Sequence, residues 1–390
     1  MDTSAADMAP SERSRRWAET MEGHGGGRLR TAHAEPGPEL AAPVVVHGRE
    51  QREELEEHLL AAGATRASGA GRRARDEDPD AHRTCFERDR DRILHSSAFR
   101  RLAGKTQVFI FPADHQRTRL THALEVAQVA TGIARACRLN VALTEAIALG
   151  HDCGHGPGGH ASEDALGIFL PDGFDHAPWG ADVSLAGLNL CAETLDGIRN
   201  HSWSRPAPAT PEGEVVSWAD RIAYVCHDWE DAVSAGIVTA DDLPEPVRLR
   251  CGTRRSSQLG AFVDAVVRTV ASTGRVGMDE ETAEALAAFR RCNYERIYLR
   301  PASLAQGAAV VAVLRALVEH FADQPGRIPD VRRSGGMASG TPEALRAAVQ
   351  YVAGMTDRFA MSCAAGDLGW DLGRLPRGVE EVGTISAPRP

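Results

Sequence analysis

The chain has 390 residues, 43% of them hydrophobic, which is enough for two or three domains or for one extended helical domain with a tail. Its 54 acidic and 44 basic residues give a net charge of −10, which disfavours nucleic acid or an anionic membrane as a partner, except through a local basic patch. The sequence contains no stretch of about twenty apolar residues, so no membrane span is predicted. The N-terminal residues lack the apolar segment of a signal peptide. The eight scattered cysteines form no CxxC pair, which is typical of reduced thiols and predicts a cytoplasmic protein.

The first 80 residues differ in composition from the rest of the chain. They are rich in Gly, Ala, Arg, Glu and Pro, as in GHGGG and GAGRRARDEDPD. Such a segment buries too little apolar surface to offset the entropy that is lost on ordering. We predict a largely disordered or loosely attached arm over 1–80, with one short helix at 49–62, and a similar flexible tail over 373–390.

From about residue 85, apolar residues recur at helical spacing, whereas the alternating apolar runs of strands are nearly absent. This pattern predicts an all-α core. The expected helices span 88–102, 120–139, 141–152, 186–200, 214–235, 256–272, 280–299, 302–322 and 341–364.

Residues with metal-binding chemistry concentrate in the first half of this core. His151 and Asp152 end an apolar helix before a glycine-rich turn, where an imidazole and a carboxylate can reach a common point. Nitrogen and oxygen ligands of this kind suit a borderline divalent cation. His122 and Asp220, each on a predicted helix, are the expected third and fourth ligands, because crossing helices can bring such positions together.

In their order along the chain, these residues resemble the pattern of the HD-domain metal-dependent phosphohydrolases. The surrounding sequence over about 86–360 is similar to the dGTPase-like branch, the deoxynucleoside triphosphate triphosphohydrolases. The segments that carry the resemblance are RDRDRILHSSAFRRLAGKTQVF, RTRLTHALEVAQVA, EAIALGHDCGHGPGGHASEDAL, SWADRIAYVCHDWEDA, CNYERIYLRP and YVAGMTDRFA. The resemblance implies an HD-domain helical bundle, with a catalytic core over 81–240 and additional C-terminal helices packed on it over 241–372. It also implies a tetrameric or hexameric homo-oligomer and one divalent metal ion per site, Mn²⁺, Mg²⁺ or another transition metal.

The resemblance further implies a reaction. Such enzymes cleave a deoxynucleoside triphosphate between the 5′ oxygen and the α-phosphorus, and they release a deoxynucleoside and tripolyphosphate. Water attacks next to the metal, and a general acid protonates the leaving 5′ oxygen. By motif match His160 is that acid, and Glu163 orients it, since a carboxylate beside an imidazole raises the pKa of the imidazole. His155 and His176 are second candidates.

Four residues match substrate contacts of the family. Arg119 matches an arginine that binds phosphate, for which a guanidinium group is well suited. Gln107 matches a position near the sugar. Tyr224 and Asp228 are four residues apart and share one helix face. They match a tyrosine that packs on the deoxyribose and an aspartate that accepts from the 3′-hydroxyl.

Lys105 is the only lysine among the 44 basic residues. Coding bias explains the 43 arginines, but it does not explain why the single exception lies two residues before Gln107. A compact ammonium group fits where the larger guanidinium fork would not. We therefore predict that Lys105 contacts a phosphate or a partner subunit.

Two segments depart from the family pattern. Phe174-Asp175-His176-Ala177 stands where Phe-Glu-His-Asn is usual, and Gly158 replaces a usual Phe in the glycine-rich turn. Losing that ring predicts a wider or looser pocket and an altered choice of substrate. Two alternatives therefore stay open: hydrolysis of another phosphoester, such as a nucleoside monophosphate or a modified nucleotide, and a nucleotide- or nucleic-acid-binding regulator without catalysis. The complete set of ligands disfavours the regulator.

Overall fold

The computed structural model describes residues 11–35, 37–41, 43–69, 71–112 and 115–378. Over these residues the chain forms seventeen α-helices and no β-strand, apart from two isolated β-bridges, which confirms the all-α fold class. The chain divides into two units, residues 1–47 and 48–390. Most of the expected tail over 373–390 lies outside the described residues.

The smaller unit contains one short helix, α1 (Glu12–Glu19). The hydroxyl of Ser11 caps this helix by accepting a hydrogen bond from the amide of Ser14 at 3.2 Å. A single antiparallel β-bridge joins His24 and Thr31. No residue of the helix is buried, in keeping with the low apolar burial that the composition predicts.

The larger unit holds the other sixteen α-helices of the described residues. In chain order they are α2 (Arg49–Leu59), α3 (Cys85–His95), α4 (Ser97–Arg101), α5 (Arg119–Ala136), α6 (Val141–Gly150), α7 (Ala161–Leu166), α8 (His176–Trp179), α9 (Ala192–Asn200), α10 (Pro211–Ser234), α11 (Glu245–Cys251), α12 (Arg255–Thr273), α13 (Glu280–Asn293), α14 (Pro301–Asp323), α15 (Pro329–Arg333), α16 (Pro342–Ala353) and α17 (Asp357–Asp367). A π-helical turn, Tyr294–Tyr298, continues α13.

Helix α6 is the centre of the first hydrophobic core. Its sequence VALTEAIALG is apolar on nearly all sides, and most of its residues are buried. Asn140 begins the helix by accepting a hydrogen bond from the amide of Leu143 at 3.1 Å. The helices α3, α5, α9 and α10 pack around α6. The C-terminal end of α6 therefore lies between α5, which carries His122, and α10, which carries Asp220.

Helix α14 is the centre of a second core, in which it packs against α7, α16 and α17. Its buried side chains are Val310, Val313, Leu314, Leu317, Val318 and Phe321. By length and composition alone α14 also has the properties of a membrane span. These side chains pack against other helices of the same chain, and 28% of the most apolar 18-residue window of α14 is buried.

Residues 48–80, which composition assigns to the arm, pack on the helical core. Ala64 and Ala67 are 6% and 4% exposed. Glu212, in the first turn of α10, is fully buried and accepts hydrogen bonds from the amide and the hydroxyl of Thr65 at 3.0 and 2.7 Å. The attachment is largely polar, so it cannot be predicted from the content of apolar residues. The smaller unit accordingly ends at 47.

Asp89 on α3 anchors this segment. Its fully buried carboxylate accepts hydrogen bonds from Arg73 Nη1 at 2.7 Å, the Cys191 amide at 2.8 Å and the Thr194 hydroxyl at 2.7 Å. Asp89→Ala removes the fully buried counter-ion of Arg73, which keeps only the partly exposed Glu77 at 2.9 Å from its Nε, so we expect the free energy of unfolding to fall by about 3 kcal/mol. Asp91→Ala removes a partly exposed, ion-paired carboxylate of the same helix and should cost less than about 1 kcal/mol. Urea denaturation measures both, and equal losses would contradict the anchoring role of Asp89.

Most predicted helices are present, and three of them are divided. The helix expected over 186–200 is broken at Asn189, which has a left-handed conformation, and α9 begins only at Ala192. The helix expected over 88–102 is interrupted at Ser96, whose hydroxyl accepts a hydrogen bond from the amide of Phe99 at 3.1 Å and begins a new helix. The helix expected over 341–364 is interrupted in the same way at Thr356. The helices α1, α7, α8, α11 and α15 are not predicted, since each has eight residues or fewer and shows too few apolar repeats.

The cysteines are all free thiols. None of the eight forms a disulfide, which agrees with the prediction of reduced thiols. The cytoplasmic location inferred from that pattern stays a prediction.

Candidate metal centre

Three helices bring the four predicted metal ligands to one point. His122 lies on α5, His151 and Asp152 directly follow α6, and Asp220 lies on α10. His122 Nε2 lies 3.0 Å from Asp220 Oδ1 and 3.9 Å from Asp152 Oδ2. His151 Nε2 lies 3.7 Å from Asp220 Oδ1 and 3.5 Å from Asp152 Oδ1. Two imidazole nitrogens and two carboxylates thus converge as the ligands of a divalent cation do.

The hydrogen bonding of His151 leaves one ring nitrogen for a metal. Its Nδ1 lies 2.6 Å from the backbone oxygen of Ala148, so Nδ1 carries the proton and donates it. Its Nε2 is buried and has no hydrogen-bond partner among the described residues. A buried imidazole lone pair that faces two carboxylates fits a divalent cation, and this mixed nitrogen and oxygen set suits a transition metal.

Electrostatics keep both carboxylates of this cluster ionised. Burial opposes ionisation of Asp152, but the Arg119 guanidinium, whose Nη1 lies 2.7 Å from Oδ2, and the neighbouring imidazoles hold the pKa of Asp152 well below its usual value. Burial also opposes ionisation of Asp220, but the hydrogen bond from His122 and the neighbouring imidazoles together lower its pKa. Both groups are therefore anionic at neutral pH, which is the state that binds a cation.

The four predicted catalytic residues form a second group beside the first. Ligand-type atoms of His155, His160, Glu163 and His176 lie within 4.8 Å of one another. His155 Nε2 lies 3.2 Å from Asp152 Oδ1, so the two groups are in direct contact. The rings of His155 and His176 stack, with 3.7 Å between their centroids.

Gly154 makes this stacking possible. A Cβ atom at residue 154 would lie 1.9 Å from the carbonyl oxygen of His176 and 2.4 Å from the amide nitrogen of Gly180. Any side chain would push α8 away from the turn, and with it the ring of His176. The glycine after the His151-Asp152 pair therefore sets the distance between the two groups.

Glu163 lies between two histidines of the second group. Its Oε1 lies 2.5 Å from His176 Nδ1, whereas its Oε2 lies 3.8 Å from His160 Nδ1, beyond hydrogen-bond distance. Burial opposes ionisation of Glu163, but His160 and His176 hold its pKa well below the usual value. The side chain of His160 is 74% exposed and that of His176 is 10% exposed. His160 is thus the freer of the two rings.

His201 also belongs to the site and is missed by the sequence analysis. Its Nδ1 lies 2.8 Å from the backbone oxygen of Ile198, and its Nε2 lies 3.2 Å from His176 Nε2. Burial lowers the pKa of His201 to about 3, so the ring is neutral at neutral pH. With His151 and Asp152 it forms a further group of ligand-type atoms. The only sequence signal is the density of histidines between 95 and 227, and this does not single out His201.

The second group and three members of the first, His122, Asp152 and Asp220, line a cavity of about 530 Å³. The predicted substrate contacts Gln107, Arg119, Tyr224 and Asp228 line this cavity. So do five residues that the sequence analysis does not name as contacts: Trp203, Arg221, Arg290, Tyr294 and Tyr298. Both tyrosines lie in the segment CNYERIYLRP, which is the signal that could have found them.

Two tyrosine hydroxyls are fixed at one side of the cavity. Tyr298 Oη lies 2.5 Å from Asp228 Oδ2, and Arg290 Nε donates to Tyr224 Oη at 2.7 Å. Burial raises the pKa of Asp228 to about 7. Its Oδ1 is buried and has no hydrogen-bond partner among the described residues. This side therefore presents one unpaired carboxyl oxygen beside aromatic rings.

Positive charge lines another part of the cavity. The guanidinium carbon of Arg221 lies 3.4 Å from the centre of the Trp203 ring, which is a cation–π contact. The indole N–H of Trp203 donates to the backbone oxygen of Ser217 at 3.0 Å, so the ring is held in place. Together with Arg119 and Arg290, Arg221 gives the cavity three guanidinium groups. Five carboxylates, those of Asp152, Glu163, Asp164, Asp220 and Asp228, line the same cavity, so its positive charge is confined to the neighbourhood of these arginines.

Lys105, predicted to contact a phosphate or a partner subunit, lies behind the cavity wall. Its side chain is buried, and its ammonium group donates to the backbone oxygens of His155 and Ala353. It is not among the residues that line the 530 Å³ cavity. Its contacts are with the turn that carries His155 and with the end of α16.

Packing explains both departures from the family pattern. Gly158 has a φ of +73°, and a Cβ atom there would lie 2.5 Å from Cγ1 of Val310 on α14. Val310 therefore occupies the space beside the turn, which opposes the predicted loosening of the pocket. Asp175 accepts a hydrogen bond from the amide of Ala177 at 3.0 Å and caps α8, a role that its shorter carboxylate fills.

An all-α core in which His122, His151, Asp152 and Asp220 converge defines the class of HD-domain metal-dependent phosphohydrolases. The chain matches the family models of the HD domain over residues 119–225 and of the phosphohydrolase-associated domain over residues 276–365. Among solved structures, a hypothetical protein from Aquifex aeolicus is similar with a TM-score of 0.45 and 19% identity, covering 73% of this chain and 69% of the other.

Relatives with higher sequence identity narrow this class to one family. A deoxyguanosinetriphosphate triphosphohydrolase-like protein from Caldanaerobacter subterraneus subsp. tengcongensis is 42% identical over 320 residues, which cover 80% of this chain and 93% of the relative. A protein of the same description from Clostridium perfringens is 43% identical over 303 residues, which cover 74% and 87%. The chain belongs to this family of deoxyguanosinetriphosphate triphosphohydrolase-like proteins, which confirms the family that the sequence segments predict.

Proposed function

We propose that this protein hydrolyses deoxynucleoside triphosphates to a deoxynucleoside and tripolyphosphate, with water attacking the α-phosphorus. The observation that supports the proposal most strongly is that three of the four proposed metal ligands, three guanidinium groups and the Asp228–Tyr298 pair line one cavity of about 530 Å³. That volume is in the range of small-molecule sites. A nucleotide with a triphosphate uses all three features at once.

The arginines of the cavity provide hydrogen-bond donors for the triphosphate. Arg119 Nε and Arg221 Nε are buried N–H groups without a hydrogen-bond partner among the described residues. Phosphate oxygens are acceptors that satisfy such donors, and the guanidinium fork matches their geometry. Arg119 also lies 2.7 Å from Asp152, so it places the α-phosphate beside the metal ligands. Arg221, held on Trp203, faces the outer phosphates.

A second set of lining residues provides contacts for the deoxyribose. Asp228 Oδ1 and Gln107 Oε1 are buried acceptors without partners among the described residues, and both suit the 3′-hydroxyl. Tyr224 lines the cavity between Asp228 and the metal ligands on the same helix face. Its ring, packed against C2′, leaves no space for a ribose 2′-hydroxyl. The proposal therefore includes a preference for deoxynucleotides.

His122, His151, Asp152 and Asp220 would hold the divalent cation, Mn²⁺ or Mg²⁺, which supplies positive charge beside the α-phosphate and lowers the pKa of the attacking water. Side chains neutralise the charge of the phosphate and donate the proton. Arg119 neutralises charge that builds up on the α-phosphate. His160, exposed to the cavity, gives its proton to the leaving 5′ oxygen, and Glu163 Oε2 lies 3.8 Å from its Nδ1.

Product analysis tests the proposal. The purified protein with Mn²⁺ or Mg²⁺ is expected to convert dNTPs to deoxynucleoside and tripolyphosphate in a one-to-one ratio, and ribonucleotides should react more slowly. In ¹⁸O-labelled water the label should appear in tripolyphosphate, because water attacks the α-phosphorus and the bond to the 5′ oxygen breaks. Chromatography and mass spectrometry follow both products. Formation of dNMP and pyrophosphate would overturn the proposed cleavage site.

A further inference from the structure

Lys105 connects the glycine-rich turn to the C-terminal helices. Its side chain is 4% exposed. Its ammonium group donates to the backbone oxygen of His155 in the turn and, at 3.0 Å, to the backbone oxygen of Ala353, the last residue of α16. These three residues are far apart in sequence, so the single lysine of the chain forms a bridge between the catalytic core and the second core.

Asp357 forms a second bridge on the same turn. This first residue of α17 is 3% exposed. Its Oδ2 accepts hydrogen bonds from the amide and the hydroxyl of Thr106 at 2.9 and 2.5 Å, and its Oδ1 accepts one from the amide of Gly158 at 2.9 Å. The turn is thus bound at residue 155 by Lys105 and at residue 158 by Asp357.

The two bridges act on the segment that carries the catalytic histidines. Residues 155–160 contain His155, in contact with Asp152, and His160, which is exposed to the cavity. The loop contains several glycines, and Gly158 has a positive φ, so its own backbone preferences do not hold it in one conformation. The Ser162 hydroxyl accepts a hydrogen bond from the Gly156 amide at 3.0 Å and donates one to the Gly159 carbonyl at 2.7 Å, so it shapes the turn from within. Lys105 and Asp357 bind the turn from other elements.

We propose that Lys105 and Asp357 are positioning residues, through which α16 and α17 hold His155 and His160 at their distances from the metal ligands. The inference rests on the proposed function for the reaction that these histidines serve. It assigns a role to the C-terminal helices: they fix the catalytic turn and leave substrate contact to the cavity side chains. Lys105 and Asp357 contribute to catalysis without contact with the reacting atoms.

The geometry also explains the lysine. A single ammonium group can donate to two carbonyl oxygens that converge from different elements, whereas the donors of a guanidinium group lie in one plane and diverge. Arg101, beside Lys105, makes the contrasting contact. Its Nη1 donates to the backbone oxygen of Gly354 at 2.8 Å and its other donors bond to Ser97, so it contacts the end of α16 but not the catalytic turn.

Arg101 therefore supplies a matched control for Lys105→Met. Both substitutions remove a cation that binds the end of α16, but only Lys105→Met releases the turn. We expect Lys105→Met to lower kcat by about tenfold to a hundredfold, since a displacement of about 1 Å at catalytic groups has an effect of this size. KM should change by less than about threefold, because the cavity side chains are intact. Arg101→Met should keep kcat within about threefold of the wild-type value.

A readout that needs no activity separates this inference from the proposed function. Hydrogen exchange of the amides of residues 155, 156 and 158–160 should become about tenfold faster or more in Lys105→Met and in Asp357→Asn, but not in Arg101→Met. If Lys105→Met does not fold, the exchange rates measured in Asp357→Asn provide the test. Unchanged exchange in a folded Lys105→Met or Asp357→Asn variant, or equal effects of Lys105→Met and Arg101→Met, would overturn the positioning role. Faster exchange in a protein that does not hydrolyse dNTPs would instead reject the proposed function alone.

Discussion

Replacing His151 and Asp152 together by alanine is expected to abolish hydrolysis and to remove the divalent metal from the purified protein. The double substitution deletes the buried nitrogen that has no other partner and the carboxylate that contacts both residue groups of the site. His122 and Asp220 alone offer too few ligands for a stable site. A metal in such a site contributes several kcal/mol of charge stabilisation, so the rate should fall by about a thousandfold or more. Elemental analysis by mass spectrometry measures the metal, and phosphate release measures turnover.

Cys153→Ala is the control for this experiment. Cys153 follows Asp152 directly, and its thiol donates to the backbone oxygen of Leu149 at 3.8 Å, away from the ligand atoms. The control variant should keep both the metal and the activity. A double variant that keeps the metal would contradict the ligand assignment. Full biological function in a double variant without hydrolysis would favour the alternative of a binding regulator.

The convergence of the four proposed metal ligands could be predicted from the sequence because each lies in a local pattern. His151 and Asp152 follow an apolar helix, and His122 and Asp220 lie on helices whose periodicity is clear. Helices that pack around one buried helix must meet near its end, so the convergence follows from the order of elements. His201 has no such pattern. It enters the site through a contact with His176 across a connection of irregular short turns, and periodicity carries no information about that contact.

Long-range polar contacts explain the other differences between sequence and structure. The Lys105–Ala353 contact spans 248 residues, so the local sequence indicates an unusual lysine but not its partner. The attachment of Thr65 to Glu212 spans 147 residues. Neither contact leaves a trace in composition or in apolar spacing, which are the signals that sequence reasoning uses. The tetrameric or hexameric assembly implied by the resemblance stays a prediction for the same reason.

His160→Ala is expected to lower kcat for dNTPs by about a hundredfold to ten-thousandfold, the usual contribution of a general acid. The proposed acid must reach the leaving 5′ oxygen, and His160 is the exposed histidine of the second group, whereas the ring of His176 is buried between Glu163 and His201. The metal content should stay unchanged, because His160 is not one of the four metal ligands. Steady-state kinetics and elemental analysis of the same preparation check both statements.

The dependence of the rate on the leaving group identifies the acid. A p-nitrophenyl phosphodiester releases a phenolate that needs no proton, so its hydrolysis should be nearly as fast in His160→Ala as in the wild type. The Asp152→Ala variant should lose activity on both substrates, because it lacks one of the proposed metal ligands. His176→Ala is the matched comparison, since it removes the other histidine beside Glu163. If His176→Ala shows the loss for dNTPs alone and His160→Ala does not, His176 donates the proton, and the short contact between Glu163 and His176 is the one that matters for catalysis.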